Sequence, residues 1–126
     1  MKKNILPKEV LEYMESSREI ENNDDKIIFE TIYNKVQDFE RAVRIYESGM
    51  YEVYGNKIPK DDKPIDQWEK LGKEIIKIHE WLEEWQIRRF TNYIDYATYA
   101  MNYIEQNEMV NVISKTQCGI KAVEIL

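Results

Sequence analysis

The sequence from Lys26 to Tyr54 reads KIIFETIYNKVQDFERAVRIYESGMYEVY and is the most regular stretch of the chain. Apolar residues recur in it at alternating spacings of three and four, as they do along one face of a helix. These residues are Phe29, Ile32, Val36, Phe39, Val43, Tyr46, Met50 and Val53. The heptad spacing predicts one long helix over 26–54, about 40 Å long at a rise of about 1.5 Å per residue, that packs lengthwise against another helix.

A second apolar pattern follows a loop. Residues 55–64 contain Gly55, Pro59 and Pro64 and predict a reversal of the chain. The same spacing then resumes at Trp68, Leu71, Ile75, Ile78, Leu82 and Trp85. After a shift of phase it continues at Phe90, Ile94, Ala97, Met101 and Ile104. A phase shift indicates a kink or a break, so we predict separate helices over 65–86 and 88–107.

The ends of the chain give weaker patterns. A short helix is predicted over 7–20, opening at Pro7, and the C-terminal segment 108–126 is ambiguous. At 126 residues, the chain has the length of one domain, 1–126. The prediction is an all-α fold, an antiparallel helical bundle of about four to five helices with two long heptad-patterned helices.

The charge balance is acidic. The net charge is −6, which repels phosphate backbones and makes nucleic acid an unfavourable partner. Arg41 with Arg44 and Arg88 with Arg89 are the candidate basic clusters for binding nucleic acid, and both are small. The composition therefore favours a protein partner with a basic surface.

Composition also bears on the compartment. A single cysteine, Cys118, cannot form a disulfide within the chain and is typical of a reducing compartment. No run of about 18 apolar residues and no signal-peptide pattern is present, so we predict a cytoplasmic protein outside the membrane. The abundance of Lys, Asn, Ile and Glu is typical of AT-rich bacterial or phage genomes.

The densest group of carboxylates is Glu80, Glu83 and Glu84, with Asp95 on the next predicted helix. Glu80, Glu84 and Asp95 are candidate ligands for Mg²⁺, which prefers oxygen donors, and the alternative is a solvated acidic face. His79 adjoins them and is either a general acid or base or a structural histidine. No complete catalytic set is present in the sequence.

Aromatic residues are abundant, with nine tyrosines and three tryptophans. Four of the tyrosines, Tyr93, Tyr96, Tyr99 and Tyr103, lie beside the apolar face of the last long helix, and Trp81 lies off the apolar pattern of its own helix. A helix that is apolar on more than one face is either central in a bundle or covered by a partner. These five residues are therefore our candidate partner-binding residues.

Part of the chain, about residues 51–105, resembles the all-helical nucleotide pyrophosphohydrolases of the MazG type and a helical domain associated with phage nucleotide modification. Three short motifs carry the resemblance, Tyr54-Gly55, Asp66-Gln67 and Ile94-Asp95-Tyr96-Ala97. It implies that Glu80, Glu83 and Glu84 form one Mg²⁺-binding motif and Asp95 the other. The chain departs from the family pattern at Asn92, where the family has a glutamate three residues before the aspartate.

These observations lead to two functional hypotheses. The first is a non-enzymatic acidic interaction protein without a cofactor, an inhibitor or accessory subunit that binds and modulates a partner protein complex. The second is a MazG-like protein that binds or hydrolyses nucleotides with Mg²⁺. Because long heptad patterns often pair across a twofold axis, we also expect a homodimer.

Overall fold

The computed structural model describes residues 6–112 and 119–126, and within them it contains six α-helices and three β-strands. In chain order these are α1 Lys8–Ser16, α2 Asn23–Val36, α3 Phe39–Ser48, β1 Tyr51–Tyr54, α4 Ile65–Ile78, α5 Glu84–Arg89, α6 Tyr96–Gln106, β2 Glu108–Asn111 and β3 Ala122–Ile125. The all-α prediction is therefore wrong, because the chain combines helices with a sheet.

The sheet has the strand order β1-β3-β2, and both pairings are antiparallel. The central strand is β3, and all four of its residues are buried. In the register, Tyr54 of β1 and Asn111 of β2 both pair with Ala122. The C-terminal segment, whose form was ambiguous in the sequence, thus supplies two of the three strands.

Successive residues of β3 point to opposite faces of the sheet and contact different hydrophobic clusters. Val123 and Ile125 belong to a cluster with residues of α1, α2 and α3, such as Val10 and Phe29. Ala122 belongs instead to a second cluster. The second cluster also includes Tyr54, Trp68, Leu71, Ile75, Ala97, Ala100 and Met109.

The predicted long helix over 26–54 is wrong, because the chain turns twice within it. Gln37 adopts a left-handed conformation with φ of 56° and ends α2, and the Asp38 carboxylate accepts a hydrogen bond from the Arg41 backbone N–H and begins α3. Gly49, at φ of 71°, ends α3, and β1 follows. The apolar faces of α2 and α3 then pack against each other within one chain. Homodimerisation stays a prediction.

The predicted helices over 65–86 and 88–107 are also shorter in the structure. Helix α4 begins at Ile65, as predicted, but ends at Ile78, and Glu80 has a left-handed φ of 57°. The short helix α5 follows, and α6 begins only at Tyr96. The break predicted from the phase shift between residues 86 and 88 is wrong, because these residues lie within α5. The breaks at 79–83 and 90–95 leave the apolar spacing in phase, so periodicity does not locate them.

Helices α4 and α6 pack closely where they cross at Gly72. A Cβ atom built on Gly72 would lie 2.2 Å from the backbone oxygen of Tyr96. Only glycine allows this approach of the two backbones.

The predicted helix over 7–20 is shorter, since α1 ends at Ser16. Residues 1–5 and 113–118, including Cys118 and that part of the C-terminal segment, lie outside the described residues. Among the helices described, none has the length and apolar character needed to cross a membrane.

Candidate functional site

A buried carboxylate lies at the centre of the sheet. Glu124 is on β3 and is 2% exposed, and a buried charge is unfavourable unless it is hydrogen-bonded or paired. Its Oε1 accepts a hydrogen bond from the Tyr54 hydroxyl at 2.5 Å, and its Oε2 accepts one from the Tyr103 hydroxyl. The Nε2 atom of His79 lies 3.0 Å from Oε1. Three donors therefore surround one carboxylate.

The four side chains come from four different elements. Tyr54 is the last residue of β1, His79 is the C-cap of α4, Tyr103 lies on α6, and Glu124 lies on β3. We call these four residues the Glu124 network. The backbone N–H of His79 donates to the Ile75 carbonyl, so the end of α4 fixes the backbone position from which the imidazole reaches Glu124. The network therefore forms only when the sheet and both helices are in place.

The hydrogen-bond geometry assigns the protons of the network. Burial, and then the hydrogen bond to Glu124, raise the pKa of Tyr54 and of Tyr103, so both hydroxyls keep their protons and donate them to the carboxylate. Their oxygens lie 3.3 and 2.9 Å from His79 Nε2 and can accept. Because both hydroxyls donate to Glu124, Nε2 is the donor in its contacts with these oxygens and carries a proton.

An aromatic surface covers the network. The indole of Trp81 stacks on the His79 ring at 4.9 Å between centroids, with 17° between the planes. Trp81 also meets Tyr99 and Tyr103 edge-on, each at 6.1 Å. The indole nevertheless remains 53% exposed. We call Trp81, Tyr99 and Tyr103 the Trp81 cluster. Part of its aromatic area is exposed, and its rings pack on the hydrogen-bonded Glu124 network.

The structure brings together three of the five predicted partner-binding residues, those of the Trp81 cluster. Tyr96 belongs to the core instead, since it is 1% exposed and its hydroxyl donates to the Ile87 carbonyl at 3.0 Å. Tyr93 is 83% exposed and lies outside the ring contacts of the cluster. The tyrosines of this part of the chain therefore divide between core, cluster and solvent.

The predicted Mg²⁺ ligands are not gathered. The Asp95 carboxylate caps α6 by accepting hydrogen bonds from the backbone N–H and the hydroxyl of Thr98, and these bonds lower the pKa of Asp95. Glu84 lies 4.0 Å from the Lys77 ammonium, and Glu80 is exposed in the turn after α4. Over residues 6–112 and 119–126, no group of three or more His, Cys, Asp or Glu side chains could hold a metal ion.

Sequence reasoning missed Glu124 and Tyr54. Glu124 stands in the segment AVEIL, where a single acidic residue has apolar neighbours on both sides. That pattern was the available signal, because a charged residue inside an apolar strand is buried only when partners are supplied from elsewhere in the fold. His79 was noted, but the carboxylate that holds it lies 45 residues away in the chain.

Comparisons with known proteins give no match: no family model, no curated protein and no solved structure is similar to the chain. The resemblance to MazG-type pyrophosphohydrolases stays a prediction.

Proposed function

We propose that the protein is a non-enzymatic interaction protein that binds a partner protein through the Trp81 cluster and thereby modulates the partner. The observation that carries this proposal is the position of Trp81. Its indole is 53% exposed, yet it stacks on an imidazole that the Glu124 network holds in place. Exposed apolar residues that are contiguous, as Trp81 is with Tyr99 and Tyr103, mark interaction sites more often than residues exposed singly.

A fixed aromatic surface is suited to binding because less conformational freedom is lost on association. Tryptophan and tyrosine are also the residue types that most often dominate binding energy at interfaces. In the Trp81 cluster, Tyr99 and Tyr103 pack against each other at 6.1 Å between centroids, and each contacts the indole edge-on. The cluster therefore offers a preformed anchor.

The charges around the cluster support a basic partner. Glu80 and Glu83 flank Trp81 in the chain and are both exposed, and the protein carries a net charge of −6. A lysine or arginine of the partner can lie over the exposed part of the indole while it neutralises these carboxylates. We therefore expect the partner to contribute a basic segment.

The chain offers a matched control for testing this surface. Trp81 and Trp85 are both 53% exposed, but only Trp81 makes ring contacts in the cluster. The full chain and its Trp81→Ala and Trp85→Ala variants are used as baits in lysate of the source cell. A protein retained by the wild type and by Trp85→Ala, but lost with Trp81→Ala, is then purified.

The purified partner is titrated against the three proteins by calorimetry. Truncation of an anchoring tryptophan removes about 2 kcal/mol or more of binding free energy, so we expect Trp81→Ala to raise Kd by about 30-fold or more. Trp85→Ala should change Kd by less than about threefold. If the two variants bind equally well, the Trp81 cluster is not the binding surface.

A further inference from the structure

A stripe of lysines runs along one side of α4. Lys70, Lys73 and Lys77 are spaced by three and four residues and so share a helix face. Two neighbouring clefts open along this side and meet at Asn56, with volumes of about 600 and 380 Å³. The larger is of the size that small-molecule ligands occupy in proteins.

Cations from distant parts of the chain converge on these clefts. Lys73, Lys77 and Arg88 line the larger cleft. Lys57, Lys70 and Lys121 line the smaller one. Among the residues that the structure describes, the clefts collect six Lys and Arg residues but two Asp and Glu residues, although the sequence has 18 of the former and 24 of the latter. On a protein of net charge −6, the fold has concentrated positive charge in one place.

The two carboxylates in the larger cleft are already engaged. Glu74 accepts hydrogen bonds from the backbone N–H groups of Gly55 and Asn56 at 2.7 and 3.0 Å, and from the Asn56 amide at 2.8 Å. Glu84 lies 4.0 Å from Lys77. Glu74 therefore holds Asn56, which lines both clefts, in place and is a poor counter-ion for the lysines.

Over residues 6–112 and 119–126, the lining of the smaller cleft includes no carboxylate. Within the part of the chain that the structure describes, no carboxylate lies within 4.0 Å of the ammonium groups of Lys57, Lys70 or Lys121. Three like charges that face one cleft repel each other unless an anion joins them. In the larger cleft, Lys73 is held 5.5 Å from the centroid of the Tyr96 ring, which fixes its direction.

We propose that the two clefts together bind a compact ligand that carries two or more phosphate groups. Phosphate groups fit because each carries up to about two negative charges in a small volume, whereas a carboxylate carries one. Lysines bind phosphate as point charges, and Arg88 adds a planar donor pair. A long polyanion fits less well, since the remainder of the surface is more acidic than the chain average and repels it.

The probe is inorganic tripolyphosphate, titrated by calorimetry into the full chain without metal at low ionic strength. The test variant combines Lys70→Gln with Lys121→Gln, both exposed and both in the smaller cleft. The control combines Lys26→Gln with Arg41→Gln, which are exposed, lie outside the clefts and remove the same charge. Circular dichroism verifies that each variant is folded.

We expect the test variant to bind tripolyphosphate at least about tenfold more weakly than wild type, and the control to change by less than about threefold. Equal weakening in both variants, or no binding by wild type, overturns the proposal. Trp81→Ala should bind tripolyphosphate as wild type does, so this site and the proposed partner surface can fail separately.

Competing ligands identify the chemistry of the occupant. ATP should bind comparably to tripolyphosphate, because the proposal assigns recognition to the phosphates alone. Citrate, with three carboxylates, should bind at least about tenfold more weakly. Tighter binding of a glutamate-rich peptide would overturn the proposal and identify the ligand of the clefts as an acidic protein segment. Tighter binding of a single-stranded oligonucleotide would overturn the proposal and identify the ligand as nucleic acid.

Discussion

Substitution of Glu124 by leucine should destabilise the protein strongly. The change removes the acceptor of two tyrosine hydroxyls and one imidazole N–H. A buried donor left without a partner costs about 1–3 kcal/mol. Tyr54 is 1% exposed and should bear the full penalty, whereas the His79 side chain is 18% exposed and can be partly rehydrated. We therefore expect a loss of about 3–5 kcal/mol, which is a large part of the stability of a typical domain.

Glu124→Gln separates hydrogen bonding from charge. The glutamine keeps one oxygen that can accept hydrogen bonds from Tyr54 and His79. Its NH₂ group faces Tyr103 and, as a donor, cannot accept a hydrogen bond from the tyrosine hydroxyl. We expect it to lose about 1–2 kcal/mol. The order of stability is thus wild type, then Glu124→Gln, then Glu124→Leu.

The assay is urea unfolding at pH 7, followed by tryptophan fluorescence and by far-ultraviolet circular dichroism. A double-mutant cycle with Tyr54→Phe tests whether the groups act together. Tyr54→Phe should be less destabilising in the Glu124→Leu background, because the hydroxyl has already lost its acceptor there. A Glu124→Leu protein as stable as wild type would refute the reasoning, since the carboxylate would then contribute nothing net to folding.

Three further predictions concern Gly72, Gln37 and the dependence of stability on alkaline pH. Gly72→Ala should lose about 1–3 kcal/mol in the same assay, because its Cβ would meet the Tyr96 backbone oxygen at 2.2 Å; a variant as stable as wild type would contradict this packing. Gln37→Gly should gain about 0.5–1 kcal/mol, since glycine adopts the φ of 56° without strain, and a lower urea midpoint would contradict that expectation. Burial, and then the hydrogen bond to Glu47, raise the pKa of Tyr13 to about 12. The contribution of Tyr13 to stability should therefore be constant below about pH 10 and fall between about pH 10 and 12, as the unfolded tyrosine ionises first. Urea midpoints of Tyr13→Phe across that range should fall less steeply than those of wild type, and parallel curves would contradict the assignment.

The apolar spacing in the sequence determined where helical faces lie. Of the residues at spacings of three and four on α2 and α3, Phe29, Ile32 and Tyr46 are buried, and the others are partly buried against the same cluster. Helix α4 begins at Ile65 after the predicted loop. Burial of an apolar face is a local property that periodicity reports directly. Helix ends within a continuing pattern were missed, because Gln37 gives no strong signal for a left-handed residue.

The strands were decided only by tertiary structure. Each has four residues, too few to show a clear alternation, and β3 lies between β2, which precedes it in the C-terminal segment, and β1, which comes from a distant part of the chain. Strands this short are stable only when three or more of them pair and an apolar face is buried, or when a helix packs against them. Neither condition can be read from the strand's own sequence.

The candidate sites divide in the same way. The sequence drew attention to Trp81, Tyr99 and Tyr103 through aromatic excess alone. It did not show that they lie over a buried glutamate, nor that lysines from α4 and from residues 57 and 121 share one pair of clefts. Electrostatic and hydrogen-bonding partners are chosen by distance in space, and the packing of α4 against α6 and the sheet sets those distances. Sequence fixes which side chains carry the chemistry, and the tertiary fold decides which of them meet.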